Sequence, residues 1–96
     1  MATPARPDAI AVLEERALRD AFASVVGDAE VFTRRAAILL ADMFGVGPMS
    51  MVLRLERMGL VREGTLDWFR SNGGITVDHI DRVRRETAAA IVRRGE

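Results

Sequence analysis

The segment from Ala37 to Val61, AILLADMFGVGPMSMVLRLERMGLV, admits few folds, because its apolar spacing describes two helices and its glycines leave room for only a tight turn between them. That is helix-turn-helix spacing, placed at residues 34–59. Leu40 and Ala41 fall on the inward side of the first helix, and Gly45 follows its end, where a left-handed residue costs least. Val46 is expected to turn back into the core. Pro48 suits the first turn of the next helix, since its φ is already helical and its missing N–H has no partner there. Met51 and Leu55 supply the inward face of that helix, which stops at Gly59.

The remaining periodicity extends this to an all-α chain of about five helices. Leu13, Ala17, Ala21 and Val25, widened by Ile10, Leu18 and Phe22, make an amphipathic first helix over Asp8–Val26. Gly27 breaks it, and Asp28 or Thr33 caps a second helix that runs to about Phe44 with Phe32, Ala36, Leu39, Leu40 and Met43 inward. The third covers Pro48–Met58. Thr65 is expected to cap a short fourth helix through Trp68 and Phe69, with Trp68 as the core anchor, and Asn72, Gly73 and Gly74 end it. Thr76 caps the last, with Val77, Ile80, Val83 and Ile91 inward and Asp78–Arg82 and Asp81–Arg85 spaced as ion pairs four apart. Glu63-Gly64 is a weak hairpin signal, so a loop is preferred there over a small two-strand wing. Residues 1–7 and the final Arg-Arg-Gly-Glu read as disordered, which leaves residues 8–94 as a single helical domain.

Composition narrows the function classes. At 96 residues with 49% hydrophobic content, one domain with a modest core is expected. There is no cysteine, hence no disulfide or thiolate site, and the N-terminal MATPARPDAIAV lacks the apolar run of a signal peptide, so a cytoplasmic protein is expected. Formal net charge is zero, which removes the overall attraction that aids many nucleic-acid binders. The charge is uneven: residues 1–33 carry three arginines against six acids, and residues 34–96 eleven arginines against eight acids. No phosphate loop, activated nucleophile or carboxylate pair is present, so no enzyme and no cofactor are expected. Asp78 and Asp81 flank the sole histidine, His79, but make a poor metal set.

Phe44-Gly45-Val46, Leu53-Arg54-Leu55 and Met58-Gly59-Leu60-Val61 resemble, in order and spacing, the segment downstream of the zinc peptidase core in the ImmA/IrrE family of bacterial regulatory metallopeptidases. The resemblance covers roughly residues 35–75, and in the family this region is helical and similar to a helix-turn-helix. Two histidines one helical turn apart, with a glutamate between them, are required for that peptidase chemistry, and a single histidine cannot supply them. Gly47 also stands where the family usually has serine. The resemblance therefore implies a non-catalytic module that in relatives accompanies proteolysis of a repressor.

Two uses of the third helix follow. Met49, Val52, Leu53 and Glu56 form a mostly apolar outward strip, which either docks a protein (a repressor, a peptidase partner or a second copy), with Arg54 and Arg57 as polar rim, or lies buried under the first or last helix. The alternative is sequence-specific DNA binding, with Arg34, Arg35, Arg54, Arg57 and Arg62 on phosphates and Arg82, Arg84 and Arg85 adding to them. Base readout from that helix is poor, because Gly47, Pro48 and Met49 occupy its leading positions.

Overall fold

A computed structural model describes residues 7–29 and 31–94, with side chains over 14–29 and 31–90. Five helices follow one another among the described residues: α1 Pro7–Val26, α2 Arg34–Phe44, α3 Pro48–Arg57, α4 Thr65–Ser71 and α5 Val77–Arg94. The fold is all-α, and no strand or wing occurs among the described residues. Residues 60–64 instead form a loop, in which the Leu60 N–H returns to the Leu55 carbonyl and the Thr65 N–H to the Arg62 carbonyl. Of the segments expected to be disordered, 1–6 and 95–96 lie outside the described residues, while Pro7, Arg93 and Arg94 are helical. The inward positions Ile10, Leu13 and Ile91 lie outside the described side chains.

Helix α2 is the hub, packing on α1, α3 and α5, while α4 packs on α3. Its ends are set locally. Thr33 Oγ1 accepts from the Ala36 N–H at 3.2 Å, and Gly45 takes φ 66°, the left-handed turn that ends the helix. The next helix leaves at 96° to α2, inside the roughly 90–120° range of helix-turn-helix units. Gly47 caps α3 through backbone alone, having no side chain with which to make a hydrogen bond.

Two apolar clusters meet at this right angle. Leu18 and Ala21 of α1, Leu40 and Ala41 of α2, and Met51 and Leu55 of α3 form the first. Ala37, Val52, Leu66 and Phe69 form the second, and Phe32 lies against both. Phe22 stacks on Phe32 with centroids 6.0 Å apart, and Phe32 meets Phe69 edge-on at 6.2 Å. Because α3 contributes to both clusters, its inward face is wider than Met51 and Leu55 alone suggest.

Several inward assignments change. Phe69 is 1% exposed and Trp68 55% exposed, because Leu66 is buried and Phe69, three residues on, shares its face, whereas Trp68 points about 100° away. Periodicity, and not ring size, decides the anchor. Met43, Val46 and Val77 are exposed, near the end of α2, in the α2–α3 turn and at the first position of α5 respectively. Ala17 is also exposed, on the flank of α1 away from Leu18. Thr65 is the first residue of α4, and Gly64 precedes it as the cap.

Two ion pairs fasten α5 to α2. Arg84 grips Asp42 through Nε at 3.1 Å and Nη2 at 2.7 Å, and Arg35 meets Glu86 at 2.6 Å. The expected pairs Asp78–Arg82 and Asp81–Arg85 are not formed among the described residues. The hydrogen bond from Arg84, helped by its charge, holds the Asp42 carboxyl below its ordinary range against desolvation in the other direction. A depressed acid stabilises the fold above its unfolded pKa, about 4, and that contribution is lost as pH falls through the lower folded value. Asp42→Asn is therefore expected to flatten the acid limb of stability below about pH 4, by less than about 1 kcal/mol because the pair is solvated. Urea titrations of both proteins at pH 7 and pH 3 check this; parallel pH dependence would remove the role given to Asp42.

Candidate functional site

The turn geometry fixes which side of α3 is available. Val52 is fully buried between Ala37, Leu66 and Phe69, and Met49 and Leu53 are half-buried against the same cluster. Val52 is therefore core, and the proposed docking strip faces α4 instead of solvent. The expected cover was the first or last helix; the seven-residue α4 supplies it instead, through Leu66 and Phe69.

Glu56, from the same strip, has a tertiary role. Its Oε1 accepts the Leu66 N–H at 3.0 Å, capping α4 where Gly64 offers no side chain and placing a carboxylate at the positive end of that helix. Glu56→Ala should cost about 1 kcal/mol, read as a lower urea midpoint with unchanged slope. An unchanged midpoint would show that water caps α4 equally well.

What α3 leaves open is a polar stripe: Ser50, Arg54 and Arg57, at i, i+4 and i+7, are all exposed. Arg54 Nη2 reaches Glu14 Oε2 of α1 at 2.9 Å, and beside them Arg19 pairs with Glu15 at 2.9 Å. Glu15, Arg19, Arg54, Arg57 and Met58 line an open groove between α1 and α3. Met58 is half-buried and packs onto the first cluster, giving this groove an apolar side under charged rims.

The five arginines assigned to phosphates are not brought together. Arg34 is a structural residue: its Nε donates to the Gly74 carbonyl at 2.9 Å and its Nη2 to the Asn72 carbonyl at 2.7 Å. Its guanidinium also lies 5.6 Å from the Trp68 ring centre and 5.5 Å from that of Phe69. Arg35 is paired with Glu86 and Arg54 with Glu14. Only Arg57 and Arg62 of the five are exposed without a hydrogen-bond or ion-pair partner among the described residues.

His79 also has a local role. Its Nδ1 accepts the Thr76 N–H at 3.0 Å while Thr76 Oγ1 accepts the His79 N–H at 3.3 Å, a reciprocal cap in which histidine replaces the usual glutamate. Among the described residues no three His, Cys, Asp or Glu side chains are grouped to hold a metal ion. No single helix among them is long and apolar enough to cross a membrane.

The groove includes residues that the sequence reading did not select. Glu15 and Arg19 are four apart in the favourable order, so their pairing was legible; Glu14 with Arg54 is a contact between helices that no local pattern announces. Comparison with family models, with curated proteins and with solved structures finds no match.

Proposed function

We propose that this chain is a non-catalytic regulatory module of helix-turn-helix type that works by docking a protein partner in the groove between α1 and α3. The observation that carries this reading is the mixed charge of the groove, where Arg54 and Arg57 of α3 stand beside Glu14, Glu15 and Arg19 of α1. A phosphate-binding surface has to be basic along its length, yet here the α3 stripe is bordered by Glu14 and Glu15, and Arg54 is already engaged by one of them. Acids at that border repel a duplex. A protein surface with alternating charges and an apolar side chain tolerates both signs and gains specificity from them.

The contact set is Arg54, Arg57, Arg19, Glu15 and Met58, so the polar rim is kept, while Val52 belongs to the core and half-buried Met49 and Leu53 pack against the second cluster. The resemblance of residues 35–75 to the region downstream of the ImmA/IrrE peptidase core favours a repressor or a peptidase as that partner. Sequence-specific DNA binding is the second reading, and Arg57 and Arg62 are the arginines left to serve it.

A photo-cross-linking residue placed at position 57, with a control at exposed Asn72, tests the assignment. The expected result is a discrete protein adduct at 57 that is reproduced with the purified partner and is absent at 72. Adducts to nucleic acid at 57, or none at all, would overturn it.

A further inference from the structure

The outer face of α1 carries a charge pattern that its own chain leaves unmatched. Arg16 and Asp20 are both exposed and lie on one helical stripe, pointing opposite to buried Leu18. They are four apart, yet they form no ion pair, whereas Glu15 and Arg19 on the neighbouring stripe do, at 2.9 Å. The order explains the difference, since a base ahead of an acid is the weaker arrangement on a helix. Neither side chain meets an opposite charge elsewhere among the described residues.

We propose that this face binds a second copy of the chain, with the two α1 helices packed antiparallel about a two-fold axis at the level of residue 18. In that register Arg16 of each copy meets Asp20 of the other. The pattern is self-complementary, which is what an isologous interface requires. The formal net charge of zero leaves no overall repulsion between copies, and Ala23, exposed on the same stripe, allows the helices to approach. No foreign partner is needed to satisfy the face. Arg16 and Asp20 are not among the groove's lining residues, although the depression they line shares Glu15 and Arg19 with it.

Sedimentation velocity over a range of concentrations up to about 100 μM, where a dimer of modest affinity is populated, tests this on the full chain. The native protein is expected to dimerise. Asp20→Arg and Arg16→Asp should each raise the dissociation constant at least about tenfold, and an equimolar mixture of the two variants should dimerise again, because the reversed charges then match across the axis. Far-UV circular dichroism confirms that both variants are folded. A native chain that stays monomeric, a dimer indifferent to either reversal, or a mixture that fails to pair would each overturn the proposal. The adduct at position 57 can be scored in the reversed variants, so loss of the dimer and loss of groove docking are separately visible.

Discussion

Phe69→Ala is expected to cost about 3–5 kcal/mol, close to the whole stability of a marginal domain of this size, while Trp68→Ala next to it costs less than about 1 kcal/mol. Phe69 is 1% exposed and joins Phe32, Leu66 and Val52, so its removal opens a cavity where α2, α3 and α4 meet. Trp68 is 55% exposed and meets Phe69 only edge-on, with centroids 5.2 Å apart. Urea unfolding of both variants, followed by circular dichroism, measures the contrast. Equal losses, or a larger loss at Trp68, would mean that α4 packs in another register and that Val52 is not sealed beneath it.

Arg34→Ala is expected to cost about 2 kcal/mol, and Arg34→Lys to recover little of it. The guanidinium serves two carbonyls, those of Asn72 and Gly74, from separate nitrogens while lying against two rings. A lysine ammonium is a compact charge that cannot hold that fork, so charge alone does not restore it. The side chain ties the start of α2 to the end of α4, just ahead of α5, and its loss should also change the emission of Trp68, the sole tryptophan. Full stability in the lysine variant would reduce Arg34 to a surface cation and return it to the set available to phosphate.

Legibility followed the range of the interaction. The αL turn at Gly45, proline at the start of α3, the Thr33 cap and the inward pairs Leu40/Ala41 and Met51/Leu55 depend on neighbours a few residues apart, and each stands where local spacing put it. Val52 was misplaced because a helix packed on two sides has an inward face wider than one stripe, and only knowledge of where α4 lies reveals the second side. Trp68 and Phe69 are separated by register: Phe69 shares the buried face of Leu66, and Trp68, the expected anchor, does not. The arginines show the limit most clearly. Arg34, Arg35 and Arg54 look alike in sequence, and their partners are 40, 51 and 40 residues away in Gly74, Glu86 and Glu14. Separations of that size are invisible to periodicity, so a basic segment could not be distinguished in advance from an ion-paired one.

As a protein-docking surface of mixed charge, the groove between α1 and α3 should hold duplex DNA poorly. This is tested most directly by fluorescence anisotropy of a mixed duplex DNA pool titrated with the chain at low and moderate salt. The expected result is only weak association that selects no sequence, with no loss of it when Arg57 is replaced by glutamine. Tight binding that selects particular duplexes, falls steeply with salt and weakens in Arg57→Gln would contradict it and place α3 in a DNA groove.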